Sequence, residues 1–99
     1  MIPYMAGELL FHRKNIEPGG HIVEMKIWRV TTSGRKPHGL KYSLVYIRDG
    51  VRIIGYDNAE GKGPHKHYGV REQPYDFQGI DKLIKDFYDD MRKAWRGEL

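Results

Sequence analysis

The chain has 99 residues, a formal charge of +4 at pH 7 and no cysteine. The lack of cysteine excludes disulfide bonds and thiolate metal sites, and it agrees with a reducing compartment. No apolar stretch is long enough for a transmembrane helix, and the first ten residues, MIPYMAGELL, lack the pattern of a secretory signal. We therefore expect one cytoplasmic domain over residues 1–99.

The positive charge is unevenly distributed along the chain. Residues 1–76 contain twelve lysines and arginines against eight acidic residues, whereas residues 77–99 contain five of each. A basic body of this kind favours a polyanionic partner such as RNA, DNA or an acidic protein segment. The apolar fraction is only 39%, so we expect a thin core, and a homodimer that helps to cover it remains open.

The first two-thirds of the chain has the features of short β-strands joined by turns. In the segment 22–31, Val23, Met25 and Ile27 alternate with polar residues, as on a half-buried strand. Asp49-Gly50 lies between two runs of β-branched and aromatic residues, which predicts a hairpin with a type I′ turn. Short connections exclude parallel crossovers. The sequence thus predicts an antiparallel meander of about five strands within residues 8–70, at 9–14, 22–31, 41–48, 51–56 and 65–70.

The period of the apolar residues changes near residue 76. From Phe77 to Trp95 they recur every three or four positions, which predicts an amphipathic helix over about 77–96. Asp76 is the expected N-cap, and Gly97 is the expected stop. Such a helix packs its apolar stripe across one face of a sheet, so we expect a two-layer α+β fold.

Reactive side chains are densest around the last predicted hairpin. In an extended segment, His65 and His67 point to one face, whereas Lys66 and Tyr68 point to the other. Asp57 comes from the end of the preceding strand. The sequence therefore predicts two imidazoles side by side, with a carboxylate close to them.

Two adjacent imidazoles suit metal-free cleavage of RNA. One takes the proton of a ribose 2′-hydroxyl, and the other protonates the leaving 5′-oxygen, because imidazole gains and loses protons near neutral pH. Nearby cations would stabilise the charge on the phosphate, and the candidates are Lys62, Lys66 and Arg52. A tyrosine would stack on a base, and the candidates are Tyr56 and Tyr68.

The same residues allow a second kind of chemistry. His-x-His on a strand with a nearby carboxylate is a ligand set for zinc or another divalent ion. Here the ligands would be Asp57, His65 and His67, with His38 or Glu72 as a further one. Histidines that serve only in hydrogen bonding are a third interpretation, and spacing alone does not choose among the three.

The hairpin is part of a longer pattern of motifs. These are HGLKY at 38–42, GYDN at 55–58, GKG at 61–63, HKH at 65–67, Glu72, Pro74-Tyr75 and the helix with Phe77, Leu83 and Phe87. Over most of the chain, from about Glu8 to the final helix, this combination resembles the TumE family, toxins of prokaryotic type II toxin–antitoxin pairs. The resemblance implies a small antitoxin partner with a helix-turn-helix domain. It also implies a site at Tyr56, Asp57, Asn58, Lys62, His65 and His67, with His38 and Lys41 as outer members.

Two classes of function follow from these observations. The first is a toxin that acts as a metal-independent ribonuclease without a cofactor. Its expected catalytic residues are His65, His67, Asp57 and Tyr56, and its expected substrate-binding residues are Lys62, Lys66, Asn58, Arg52, Lys41 and His38. The second is a non-catalytic module that binds RNA or the antitoxin. The divalent-metal site at Asp57, His65 and His67 is the remaining alternative.

Overall fold

A computed structural model describes residues 7–34, 36–59 and 63–99, in which six strands form one antiparallel sheet. The strands lie in the sheet in chain order, as successive short connections require. The elements are β1 Glu8–Glu17, β2 His21–Arg29, β3 Leu40–Arg48, β4 Val51–Asp57, β5 His65–Tyr68, β6 Arg71–Pro74 and α1 Ile80–Trp95. The predicted α+β meander with a C-terminal helix is confirmed, with six strands instead of five.

Strand β6 is the one that sequence reasoning missed. All four of its residues are exposed, and three are polar, so no alternation marks the segment. It forms because its backbone pairs with β5, with Pro74 opposite His65. Proline is tolerated at this position because β6 lies at the edge of the sheet.

The core lies between one face of the sheet and α1. Val23, Met25 and Ile27, predicted to share a face, are at most 6% exposed. The strands also contribute Tyr42, Leu44, Tyr46, Ile54 and Tyr56, and α1 contributes Leu83, Phe87, Met91 and Ala94. We call the opposite side of the sheet the open face. Among the described residues, no helix combines the length and apolar character needed to cross a membrane.

The tight turn between β3 and β4 agrees with the sequence prediction. Asp49 and Gly50 have φ of 53° and 79°, and a type I′ turn requires positive φ at both positions. In the pairing of these strands, Tyr46 lies opposite Ile54 but Ile47 lies opposite Arg52. One extra residue of β4 therefore forms a β-bulge, which places Arg52 on the open face.

The start of the helix differs from the prediction. It begins at Ile80, after Gly79 with φ of 107°, and no side chain caps it. Asp76 instead accepts a hydrogen bond from the side chain two residues later, at 2.7 Å. Phe77 stacks on Tyr42 with 5.3 Å between the ring centroids. The predicted N-cap at Asp76 and the start at 77 are wrong because packing of Phe77 on Tyr42 keeps this segment as a loop between the sheet edge and the helix.

Candidate active site

Asp57, His65 and His67 meet on the open face, where β4 and β5 pair. Asp57 lies opposite His65, and Gly55 lies opposite His67. The two imidazole centroids are 5.0 Å apart with an interplanar angle of 76°. The structure therefore brings together the two histidines and the carboxylate that the sequence pattern indicates, and we call them the histidine–aspartate cluster.

The Asp57 carboxylate lies between the two imidazoles. Its Oδ1 is 2.9 Å from Nε2 of His65, and its Oδ2 is 3.7 Å from Nε2 of His67. On the other side of the His65 ring, Nδ1 is 2.8 Å from the carbonyl oxygen of Gly63. Both ring nitrogens of His65 thus face acceptors, although a neutral imidazole has one N–H. Both contacts are satisfied only when a second proton or a metal ion is present on the ring.

A cavity opens beside the cluster. Its volume is about 280 Å³, and its lining residues are Pro64, His65, Glu72, Gln73 and Pro74. Oε2 of Glu72 is 3.5 Å from Nε2 of His65. The His65 side chain itself is 9% exposed, whereas those of Asp57 and Glu72 are 23% and 36% exposed. A small ligand can therefore approach the buried imidazole from the side of Glu72.

Arg52 affects the pKa of His67. Burial lowers the pKa of His67 and the positive charge of Arg52 lowers it further, and both outweigh the opposite effect of Asp57. Arg52 reaches this position because Gly55 has no side chain: a Cβ built on Gly55 would lie 3.2 Å from Cδ of Arg52. The arrangement favours a neutral imidazole at His67 and keeps a guanidinium beside it.

Further cations lie on the open face toward β2 and β3. Register places Lys26 opposite Ser43, and Ser43 opposite Asp57, so these side chains form a row that leads to the cluster. Nζ of Lys41 lies 5.4 Å from the centroid of the Trp28 ring, a cation–π distance. Lys26 also lies 3.7 Å from Glu24, so the open face carries both signs of charge, and its lysines together with Arg52 are the groups that suit contact with a polyanion.

Two predicted site residues, Tyr56 and Lys66, face the helix instead of the cluster. The Tyr56 hydroxyl donates to Oδ2 of Asp90 in α1, and burial together with this bond raises the pKa of the phenol, which keeps it a donor. Nζ of Lys66 lies 3.5 Å from the same oxygen and 3.1 Å from the Tyr68 hydroxyl. The cause is strand alternation: neighbours of Asp57 and His67 along the strand point to the opposite face.

The remaining predicted residues have other positions. Asn58 is 7% exposed, and its amide accepts from the backbone of Tyr42 at 3.0 Å and donates to that of Leu40 at 2.8 Å. It therefore joins the end of β4 to β3. His38 packs against Phe77, with centroids 4.9 Å apart, away from the cluster. Lys62 lies outside the described residues.

Sequence reasoning missed three contributors to this region. The carbonyl of Gly63 orients His65, and the missing side chain of Gly55 makes room for Arg52, but neither role leaves a signal in the sequence. The buried Asp90 does leave one. It falls on the apolar stripe of the helix, between Phe87 and Met91, where a carboxylate requires buried donors.

Fold and site together define a class, a small two-layer α+β protein with an imidazole–carboxylate cluster on the open face of its sheet. The family model described as Toxin TumE matches residues 4–95. Because this match covers nearly the whole chain, the protein belongs to the TumE toxin family. Comparison with the curated proteins and with the solved structures gave no match to this chain.

Proposed function

We propose that the chain is the toxin of a type II toxin–antitoxin pair and that it cleaves RNA in the cytoplasm at the histidine–aspartate cluster, without a catalytic metal. Membership of a toxin family supports the first part. The observation that carries the second part is the position of Asp57 between two imidazoles. Arg52, beside His67, supplies a cation for the phosphate.

The reaction would be an attack of the ribose 2′-oxygen on the adjacent phosphorus. The new bond from the 2′-oxygen to phosphorus forms while the bond to the 5′-oxygen breaks, which leaves a 2′,3′-cyclic phosphate and a 5′-hydroxyl. In this proposal, His67 accepts the 2′ proton, because burial and Arg52 lower its pKa. His65, held between two acceptors, donates a proton to the 5′-oxygen.

The proposed partner is a small antitoxin with a helix-turn-helix domain, expected to cover the open face and close the site. Toxin–antitoxin pairing supports a partner in general, and the positive charge excess of residues 1–76 supports an acidic contact surface on that partner. The alternative is that the same face binds RNA or the antitoxin without catalysis. In that case, affinity would fall gradually as cations are removed, and no single histidine would be essential.

Induction of the chain in growing cells tests the proposal. Wild type, His65→Ala/His67→Ala and His12→Ala are compared for growth arrest, and total RNA is mapped for new ends. His12 is the matched control because it also pairs with a carboxylate on the open face, that of Glu24 at 2.9 Å, but lies on β1. Circular dichroism establishes that all three chains fold.

We expect arrest and new RNA ends from wild type and His12→Ala, and neither from the double variant. Arrest without new RNA ends would keep the toxin and reject the ribonuclease. Cleavage that survives in the folded double variant would remove the cluster from the mechanism. No arrest from any chain would favour the binding module.

A further inference from the structure

We infer that the histidine–aspartate cluster, together with Glu72, is a binding site for one zinc ion and that bound zinc switches off the proposed RNA cleavage. The binding itself is independent of the proposed function. The inhibition rests on it, because zinc would occupy the ring nitrogens that the reaction uses.

The ligand atoms converge on a small volume. One ligand atom each from Asp57, His65 and His67 lies within 4.8 Å of the others. The closest pairs are 2.9 and 3.7 Å apart, and the carboxylate of Glu72 adds an oxygen 3.5 Å from Nε2 of His65. In a tetrahedral zinc site with bonds of about 2.0 Å, ligand atoms are roughly 3.3 Å apart. The spacings of Asp57, His65 and His67 are therefore close to those of a zinc site, and Glu72 is near enough to His65 to be the fourth ligand.

The outer contact of His65 is a second, independent observation. Metal-binding histidines commonly donate their other N–H to a carbonyl or carboxylate, which fixes the tautomer and aims the free lone pair at the metal. His65 has this arrangement, since Nδ1 contacts the carbonyl of Gly63 at 2.8 Å. Its Nε2 then points a lone pair at the Asp57 carboxylate, so two acceptors face each other. A cation between them would turn this unfavourable contact into two favourable ones.

The frame that holds the ligands is rigid, and the site is accessible. Asp57 and His65 are a cross-strand pair, and so are His67 and Glu72, so three hydrogen-bonded strands carry the four ligands. The cavity of about 280 Å³ beside His65 and Glu72 gives an ion access. The positive charge of Arg52 repels a cation at this site, but the negative charges of Asp57 and Glu72 offset this repulsion. Two imidazoles and two carboxylates favour zinc over magnesium, which prefers oxygen ligands alone.

Zinc in this position would stop the proposed reaction for a simple reason. A metal on Nε2 of His65 and of His67 uses the lone pairs of both nitrogens, so neither can accept or donate a proton. Asp57 would also turn from an acceptor of hydrogen bonds into a ligand. Removal of zinc by a chelator would restore all three groups.

Isothermal titration of zinc into the chelator-treated, dialysed full-length chain tests the binding. We expect one equivalent per chain, at least tenfold weaker binding in His67→Gln and unchanged binding in His12→Ala. Nitrogen-detected NMR of the wild-type imidazoles provides a readout that needs no variant, with shifts expected at His65 and His67 but not at His12. No saturable binding, or binding that is lost in His12→Ala but kept in His67→Gln, overturns the site.

Cleavage of RNA by the purified wild-type chain, with and without zinc, tests the inhibition. We expect activity to fall over the zinc range in which the titration saturates and to return with chelator. If zinc binds but RNA is never cleaved, the site stands and the proposed function fails. If cleavage requires zinc or survives saturation with it, the inhibitory role is overturned while the site stands.

Discussion

Loss of the Asp90 side chain should strongly lower the free energy of unfolding. This side chain is 9% exposed, and its Oδ2 receives the Tyr56 hydroxyl, the Tyr68 hydroxyl at 2.8 Å and the Lys66 ammonium at 3.5 Å. Asp90→Ala leaves the buried Tyr56 phenol with only a 3.5 Å contact to the backbone carbonyl oxygen of Asp86 and leaves a largely buried ammonium without its counter-charge. The first costs about 1–3 kcal/mol, and breaking a buried ion pair from one side costs about 3–5 kcal/mol.

We expect Asp90→Ala to lower the free energy of unfolding by about 3 kcal/mol, which is less than the sum of the two costs. The reason is that Lys66 is 20% exposed and that water can reach it and Tyr68 after the substitution. With a urea m-value of about 1.5 kcal/mol/M for a domain of this size, the midpoint should fall by roughly 2 M at an unchanged m-value. Asp90→Asn should lose less, since the amide oxygen still accepts from Tyr56.

Asp89→Ala is the matched control for this measurement. Asp89 is the preceding residue of the same helix, and its ion pairs with Lys85 at 2.8 Å and with Arg92 are on the surface. Surface pairs contribute little because water screens them, so we expect a much smaller shift of the urea midpoint. If Asp89→Ala and Asp90→Ala shift the midpoint equally, burial is not the source of the stabilisation and the reasoning is refuted.

Three further predictions concern the open face and the polar contacts of the helix. Gly55→Ala should push Arg52 aside, because its Cδ would lie 3.2 Å from the new Cβ, and should lower RNA affinity by less than Arg52→Ala does, without loss of thermal stability. Lys41→Ala should reduce the slope of log K against log salt for RNA binding by about 1. Tyr75→Phe removes the 2.6 Å hydrogen bond to Asp86 and should cost about 1–2 kcal/mol at pH 7 in urea unfolding. Burial raises the pKa of Asp86, but the bonds from Tyr75 and a nearby lysine outweigh it and hold that pKa below its ordinary value of 3.8, so the cost should be full above pH 3.8 and shrink as the pH falls through the lower folded value.

Each of these predictions has a result that would contradict it. For Gly55→Ala, it is a lower affinity of the Gly55→Ala/Arg52→Ala double variant than of Arg52→Ala alone, since substitutions that act through one contact are not additive. For Lys41→Ala, it is an equal change of slope in Lys85→Ala, an exposed lysine on the helix, across the domain from the open face. For Tyr75→Phe, it is a stability cost that stays the same as the pH falls from 7 through the titration of Asp86.

Local sequence determined the elements and the composition of the cluster. Alternation marks Val23, Met25 and Ile27 as a buried face, and a helical period marks the stripe through Leu83 and Phe87. Both signals depend only on the geometry of one segment. The same geometry puts residues 65 and 67 on one side of a strand, so the pairing of the two imidazoles follows from their spacing alone. The sequence did not predict β6, because Arg71–Pro74 carries no alternation. It placed the start of α1 too early, because the packing of Phe77 keeps that residue outside the helix.

The contacts that give the cluster its chemistry depend on long-range pairing, which local preferences do not encode. Asp57 meets His65 only because of the register between β4 and β5, and Arg52 joins them only because a bulge shifts the pairing of β3 and β4. Tyr56 belongs to the core for the same reason, since Asp90 accepts its hydroxyl from a helix more than thirty residues later. Sequence alone determined which groups share a face of a regular strand, because that follows from bond geometry. Tertiary structure decided which groups touch, because strand register, bulges and helix docking result from packing of the whole chain.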